Sequence, residues 1–154
     1  MQIAKLFAKQ KKYHQIFKSC NVGSRNEPWH WCCSCPKCLF VYIILSPFLY
    51  KADLIDIFKK DLYEDETLLE TFKGLTGHSD WKPFECVGTF EEINFAVSKT
   101  IVNLEGQELP YLLKYYKENY GLYDLSEDIT KRYNEENNLP KELDNILKGA
   151  IFND

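Results

Sequence analysis

Four of the six cysteines of this chain lie within seven positions, in the stretch Cys-Cys-Ser-Cys-Pro-Lys-Cys. Two-residue spacers separate Cys32, Cys35 and Cys38, and eleven residues separate Cys20 from Cys32. Spacers of this length let neighbouring thiolates converge on one ion, and four thiolates complete the tetrahedron that Zn²⁺ prefers, at about 2.3 Å per sulfur. Because four protein ligands leave no open position, the spacing predicts a structural zinc ion bound by these four cysteines.

Other uses of clustered thiols give alternative interpretations of the same spacing. An iron–sulfur cluster also takes four cysteine ligands, and unliganded cysteines are common in protein cores. A Cys-x-x-Cys redox centre is disfavoured because no βαβ pattern surrounds the motif. Cys33 competes with Cys32 as a ligand, but Cys32 is preferred because it keeps the two-residue spacing along the whole group.

The segment HSDWKPFECVG, residues 78–88, concentrates ionisable side chains and has no helical periodicity. It is predicted to be a structured loop, and loops on a rigid scaffold often carry function. The candidates for acid–base chemistry are His78, Lys82, Glu85 and Cys86. A thiolate at Cys86 becomes a proton carrier if Lys82 or a following helix N-terminus lowers its pKa. The structural alternative is a buried cysteine, a helix-ending histidine and a weak surface ion pair between Lys82 and Glu85.

Two further groups near the cysteines are candidates for ligand binding. Arg25 and Asn21 suit a phosphate or carboxylate, since the guanidinium fork matches those anions; the alternative is a solvated loop. Trp29 and Trp31, with lysines nearby, are compatible with stacking on single-stranded nucleic acid. The preferred interpretation is that both tryptophans wall the cysteine knuckle.

The elements that hold these residues are predicted to be helices, because apolar residues recur at helical spacing along most of the chain. Helices are predicted over residues 2–12, 36–45, 53–60, 65–75, 89–102, 107–119, 126–137 and 140–151, with an extended segment or weak strand over 13–19. Pro36 suits a first helical turn, and Thr89 followed by Glu92 is a capping-box sequence. The predicted fold class is mainly α, with the cysteine knuckle near the N-terminus and few or no strands.

Length and charge limit the class of protein further. A chain of 154 residues has room for one domain with a helical appendage, and the predicted division is a knuckle domain over 1–105 with a helical extension packed on it over 106–154. The formal net charge of −4 combines +7 over residues 1–60 with −11 over residues 61–154. The basic half suits an anionic ligand, whereas the absence of a Lys/Arg-rich run argues against a nucleic-acid partner.

The apolar run over residues 39–50 raises the question of a membrane span. It is twelve residues long and contains Ser46 and Pro47, whereas a spanning helix needs about 20 apolar residues. The first ten residues include two lysines and no uninterrupted apolar segment, which argues against a signal peptide. We therefore expect a cytoplasmic protein with no membrane partner, in a compartment where thiols stay reduced.

The run SCN…WHWCCSCPKCLF resembles the cysteine-rich tail of enzymes built on a PP-loop (ATP-pyrophosphatase-like) domain. In one such group, the pre-queuosine nitrile synthases, a lone cysteine followed by C-x₂-C-x₂-C binds structural zinc near the active site, and the four predicted ligands match that pattern. The stretches CPKCLFVYIILSPFL and WKPFECVGTFEE are more similar still to the C-terminal portion of the UDP-N-acetylmuramoyl-L-alanyl-L-glutamate epimerase family. This resemblance covers roughly residues 1–105.

The resemblance implies an isomerase of peptidoglycan synthesis, and hence of cell-wall biogenesis. That family uses ATP and Mg²⁺ to convert the terminal L-Glu of a UDP-linked muropeptide precursor to D-Glu. Inversion at an α-carbon requires a base that takes a proton and an acid that returns one on the other face. The resemblance therefore implies that loop 78–88 lines the substrate cleft.

The chain departs from the PP-loop enzymes at one point. Their ATP-binding loop has an SGGxDS-type sequence, and nothing like it occurs here. ATP and Mg²⁺ are therefore expected only with a PP-loop ATP-binding half supplied by another domain or chain, and these residues alone are expected not to hydrolyse ATP. Two interpretations follow: the C-terminal domain of an ATP-dependent epimerase, or a non-catalytic, zinc-stabilised helical binding module.

Overall fold

The computed structural model of the protein describes residues 1–25, 27–84 and 87–152, and the regular structure in these ranges is helical, with no strand. The prediction of a mainly α fold with a cysteine cluster near the N-terminus is confirmed. The α-helices are Gln2–Ala8 (α1), Pro36–Leu45 (α2), Lys51–Phe58 (α3), Leu69–Thr76 (α4), Phe90–Asn103 (α5), Tyr111–Tyr120 (α6) and Lys141–Phe152 (α7).

Helix α2 forms the centre of the core. Pro36 occupies its first turn, and Leu39, Tyr42 and Ile43 are almost fully buried. The helix packs against both α4 and α5. Burial of one large apolar side chain stabilises a fold by about 1.5–3 kcal/mol. The buried side chains of this helix therefore make a large contribution to the stability of the fold. The predicted buried helix over 36–45 is confirmed, and none of the described helices is long and apolar enough to cross a membrane.

Helix α5 begins at the predicted capping box. The hydroxyl of Thr89 accepts a hydrogen bond from the Glu92 amide at 3.1 Å, and the Glu92 carboxylate accepts one from the Thr89 amide at 3.2 Å. These reciprocal bonds satisfy two amides that a helix start otherwise leaves unpaired. The buried face of the helix, which includes Ile93 and Val97, then lies against α2.

The prediction of a helix over 126–137 is wrong. The described structure there contains one short 3₁₀ turn, Ile129–Lys131, between irregular segments. Side-chain oxygens of Asp124, Asp128 and Asn134 accept hydrogen bonds from backbone amides two residues ahead, at 2.9, 3.0 and 2.9 Å. Short polar side chains of this kind compete with the helical hydrogen-bond pattern, which explains why the predicted helix does not form.

Two predicted boundaries near the N-terminus also differ from the structure. Helix α1 ends at Ala8 rather than at residue 12, and a separate 3₁₀ turn, Lys11–Tyr13, follows it. The segment 13–19 contains turns rather than a strand. The amides of Ile16 and Phe17 both bond to the carbonyl of Tyr13, which closes the backbone locally and leaves no extended edge.

The last third of the described chain contacts the core in two places. Helix α6 contributes Leu112, Leu113 and Tyr116 to the main core cluster. Helix α7 contacts α1 and the Ile129–Lys131 turn, and Ile151 is its buried residue. The division of the chain into 1–105 and 106–154 stays a prediction.

A cluster of three buried hydroxyl groups joins α2 and α5 to the segment that follows α3. The Ser46 Oγ lies 2.8 Å from the Tyr63 hydroxyl and 2.7 Å from the Thr100 Oγ1. Ser46 also lies within 2.8 Å of the Ile43 carbonyl, and Thr100 donates to the Ala96 carbonyl at 2.8 Å. Burial raises the pKa of Tyr63 above its ordinary value, so the tyrosine is neutral within this cluster.

We expect Ser46→Ala to lower the free energy of unfolding by about 1–3 kcal/mol, because it leaves the buried Tyr63 hydroxyl without its hydrogen-bond partner at Ser46. Denaturant unfolding measures this loss. Adding Tyr63→Phe to Ser46→Ala should cost less than the sum of the single losses, since phenylalanine has no donor to leave unpaired. Fully additive losses would show that the two hydroxyls are not coupled.

Candidate functional site

The sulfur atoms of Cys20, Cys32, Cys35 and Cys38 all lie within 4.8 Å of one another. The Cys20–Cys35, Cys32–Cys38 and Cys35–Cys38 separations are 3.9, 3.7 and 3.6 Å. Zinc–sulfur bonds of about 2.3 Å in a tetrahedron place the sulfurs roughly 3.8 Å apart. The structure therefore brings together the four predicted ligands in an arrangement that could hold one metal ion.

The start of α2 positions two of these sulfurs. Cys35 is the N-cap residue, and its carbonyl accepts hydrogen bonds from the amides of Cys38 and Leu39 at 3.1 and 3.3 Å. A helix N-terminus carries partial positive charge, which favours thiolates over thiols. The sulfur of Cys20 accepts a further bond from the Gly23 amide at 3.1 Å. Backbone amides thus support the cluster from the helix and from the preceding loop.

The sulfurs of Cys35 and Cys38 lie within hydrogen-bond distance, 3.6 Å apart. A hydrogen bond between the sulfurs stabilises the thiolate of Cys35 and lowers its pKa to about 5. The same bond, together with burial, raises the pKa of Cys38. Protons and metal ions compete for such ligands, so binding of a cation would release protons from the cluster.

Cys33 lies outside this group although it adjoins Cys32. Its backbone is left-handed, with φ of 56°, and its thiol donates to the Phe58 carbonyl at 3.1 Å. Burial is the main cause that raises the pKa of Cys33 to about 11. A protonated thiol directed at α3 is not placed to bind the ion.

Of the aromatic and polar side chains predicted near the cysteines, one is buried against the core and the others are exposed. Trp31 is buried, with ring centroids 5.7 Å from Phe17 and 4.6 Å from Phe58, so it forms a wall beside the cysteine loop. Trp29 is exposed. Arg25 and Asn21 are exposed on the turn that follows Cys20, and their predicted binding of an anionic substrate stays a prediction.

The loop 78–88 begins where α4 ends. Gly77 adopts a left-handed conformation with φ of 81°, which favours glycine and turns the chain out of the helix. The ring of His78 then stacks on Tyr120 at 3.6 Å between centroids, with 9° between the planes. Its Nδ1 lies 3.0 Å from the Thr76 hydroxyl, and burial lowers the pKa of His78 below its ordinary value.

The ring of Phe90 lies next to both Lys82 and Gly77, the residue that precedes the loop. The Lys82 ammonium lies 4.6 Å from the Phe90 ring centroid and donates to the Gly88 carbonyl at 3.1 Å. A Cβ placed on Gly77 would lie 3.2 Å from the same ring, and a Cβ on Gly88 would lie 3.0 Å from the Phe40 ring. The loop therefore touches α2 as well as α5. The other two acid–base candidates, Glu85 and Cys86, lie outside the described residues.

The sequence did not indicate that Thr76 and Tyr120 are partners of His78. Thr76 lies only two residues before His78 but just beyond the predicted helix 65–75, and the contact of Tyr120 with the imidazole is tertiary. A signal does exist: Tyr116 and Tyr120 are four residues apart, so they share one face of α6, and both rings contact His78. A stripe of tyrosines facing a histidine-bearing loop is the pattern to look for.

The helical fold and the four-cysteine centre define a small helical domain with one group of cysteines that could hold a metal ion. Residues 16–125 match the family described as the MurL C-terminal domain. The chain belongs to that family, and its resemblance to the C-terminal portion of the epimerase family is confirmed.

Curated relatives named UDP-N-acetyl-alpha-D-muramoyl-L-alanyl-L-glutamate epimerase are similar to this chain. The Micromonospora sp. enzyme is 40% identical over 100 residues, 64% of this chain and 22% of the relative. The Xanthomonas oryzae pv. oryzae enzyme is 39% identical over 114 residues, which cover 70% of this chain and 25% of the relative. The Salinispora tropica enzyme is 38% identical over 100 residues, which cover 64% of this chain and 22% of the relative. The chain spans about a quarter of the length of these relatives. No solved structure matches it.

We expect Gly23→Ala to disrupt the cysteine centre, because a Cβ at this position would lie 1.9 Å from the His30 carbonyl oxygen. The turn that carries Cys20 must then move, and metal content per chain should fall well below that of the unchanged protein. Elemental analysis and thermal unfolding measure the effect. Ser24→Ala, an exposed change in the same turn, is the matched control. Equal metal content in both variants would contradict the close approach.

Proposed function

We propose that this chain is the metal-bearing C-terminal domain of an ATP-dependent epimerase that converts the terminal L-Glu of UDP-MurNAc-L-Ala-L-Glu to D-Glu in peptidoglycan precursor synthesis. The observation that carries the proposal is the match of residues 16–125 to the MurL C-terminal domain. Relatives that bear the epimerase name are 38–40% identical in this region. Since the chain spans about a quarter of their length, the complete reaction requires an ATP-binding half, in the same chain or in another.

The metal in this proposal is a structural zinc ion. Sulfur separations of 3.6–3.9 Å fit tetrahedral zinc, and four thiolates leave no position for substrate. Zinc neutralises the clustered thiolates and crosslinks the Cys20 turn to the start of α2. Phe40, in the second turn of α2, lies so close to Gly88 that a Cβ there would be 3.0 Å from its ring, so the metal indirectly supports the loop 78–88. Reduced thiols also agree with a cytoplasmic protein.

The chemistry is assigned to groups of loop 78–88. Converting the glutamyl carboxylate to an acyl-adenylate, with ATP and Mg²⁺, removes a negative charge that resists further charge on the α-carbon. A neutral His78 or a Cys86 thiolate is then strong enough to take the α-proton, and Glu85 is a further proton carrier. Lys82 stabilises the enolate that forms, a role that is worth a few kcal/mol in a closed site.

Substrate recognition is assigned to the basic side of the domain. The UDP-linked precursor is anionic, and residues 1–60 carry a formal charge of +7. Arg25 and Asn21 lie exposed on the turn after Cys20, which leaves them accessible to a phosphate or carboxylate group.

We expect the purified chain to contain about one zinc ion, and Cys35→Ser to lose both the metal and most of the helical signal, because metal binding contributes to folding. Cys33→Ser is the matched control, since Cys33 donates to a carbonyl and a serine hydroxyl can do the same. Elemental analysis and circular dichroism measure the two effects. Iron in place of zinc would support the cluster alternative, and full helicity with neither metal would contradict a structural metal site.

The epimerase proposal is tested in a chimera of the Xanthomonas oryzae relative, in which the aligned segment is replaced by residues 16–125 of this chain. With ATP and Mg²⁺ in D₂O, the chimera should incorporate deuterium at the glutamyl α-carbon and form D-Glu. Lys82→Ala should lower both rates at least about tenfold without loss of zinc, whereas Lys99→Ala, an exposed change on α5, should not. A folded, zinc-containing chimera without exchange would favour the non-catalytic binding module.

A further inference from the structure

The hydrogen bonds around His78 determine which of its ring nitrogens carries the proton. Thr76 Oγ1 lies 2.9 Å from the Phe72 carbonyl oxygen and 3.2 Å from the Lys73 carbonyl oxygen. Carbonyl groups have no hydrogen to share, so the single hydroxyl hydrogen of Thr76 must be directed to this pair. The hydrogen between Thr76 Oγ1 and His78 Nδ1, 3.0 Å apart, must then come from the imidazole.

This assignment leaves the other nitrogen as an acceptor. A neutral imidazole with its proton on Nδ1 has an open lone pair on Nε2. Among the described residues, no group is hydrogen-bonded to His78 Nε2. Tyr120 covers one face of the ring and Tyr116 meets it edge-on at 5.8 Å, so the ring orientation is fixed by two contacts from α6.

The residues behind Thr76 are themselves held by hydrogen bonds. Asn94 donates to the Thr76 carbonyl at 2.9 Å and to the Phe90 carbonyl at 2.8 Å. The Tyr116 hydroxyl donates to the Asn94 side-chain oxygen at 2.7 Å. The direction of every bond in this series follows from its carbonyl ends, and the series joins α4, α5 and α6 beneath the imidazole.

We propose that His78 is the base that removes the glutamyl α-proton through Nε2, and that Thr76 is the positioning residue that keeps the proton on Nδ1. This inference rests on the proposed epimerase function and chooses between the two bases named there. The Cα–H bond breaks, its electron pair moves into the activated carboxyl group, and the proton passes to Nε2. An acid on the opposite face returns a proton to the α-carbon, and the imidazolium gives its proton to the deprotonated acid through solvent.

The surroundings of the ring favour its neutral form. Burial lowers the pKa of His78, so the imidazole is available as a base at neutral pH. The titratable groups of α6 that contact the ring are Tyr116 and Tyr120, and α4 carries Lys73 and Glu70. Lys73 pairs with Glu70 at 2.9 Å, which raises the pKa of Lys73 and keeps it charged. No carboxylate among the described contacts of His78 stabilises an imidazolium.

The first test is ¹⁵N NMR of the histidines in the complete 154-residue chain. His78 should carry its proton on Nδ1, whereas His14, whose Nε2 lies 3.2 Å from the Phe7 carbonyl, should carry it on Nε2. Thr76→Val should shift His78 toward the Nε2–H form that an isolated imidazole prefers, Thr76→Ser should restore Nδ1–H, and His14 should not change. A proton on Nε2 of His78 in the unchanged protein would overturn the inference.

The second test measures exchange of the α-proton in the chimera. Thr76→Val and His78→Gln should each lower exchange at least about tenfold at unchanged zinc content, and Thr76→Ser should restore it. His30→Gln, an exposed change, is the control. If the unchanged chimera exchanges normally and both variants match it, the base is another group and only this inference fails. If the unchanged chimera does not exchange, the proposed function fails and the assignment of His78 as base fails with it.

Discussion

Four sulfur atoms gathered within 4.8 Å at the start of α2 impose the strongest constraint on this protein. Thiolates at such separations repel one another unless a cation lies between them. The loop that delivers Cys20 has little else to hold it: between Cys20 and Trp31, Gly23 is the one buried position among the described residues. Its position therefore depends on the sulfurs, on the two amides that reach Cys20, and on the ion that they would bind.

Helix α2 transmits this constraint to the rest of the fold. Its first turn holds Cys38, its buried face packs on α4 and α5, and Phe40 contacts the loop at Gly88. The end of α4 and the start of α5 in turn define both ends of the loop 78–88. A change at the cysteines is thus expected to act on the loop through helix positions, whereas changes within the loop leave the cysteine centre intact. These different effects of mutation would distinguish a metal that supports the fold from side chains that act on a substrate.

Features with a local signature were predictable from the sequence, and features made by tertiary contact were not. The cysteine spacing, the proline at the start of α2 and the capping box of Thr89 each lie within a few residues, and the structure contains all three elements. The helix predicted over 126–137 is an exception, because the bonds that prevent it are also local: short polar side chains accept hydrogen bonds from amides two residues ahead. The hydroxyl cluster of Ser46 and Thr100 joins positions 54 residues apart, which no local pattern indicates.

In the proposal for His78, a helical scaffold prepares a base without a charged neighbour. A carboxylate beside a histidine would fix the tautomer but would also stabilise the imidazolium and raise its pKa. A threonine hydroxyl already bound to carbonyls fixes the same tautomer while adding no charge. Since the hydroxyl, its carbonyl partners and the stacking tyrosine all belong to α4 and α6, this preparation is a property of the domain itself. Under the proposed function, an ATP-binding half would then need to supply an activated substrate, not a base.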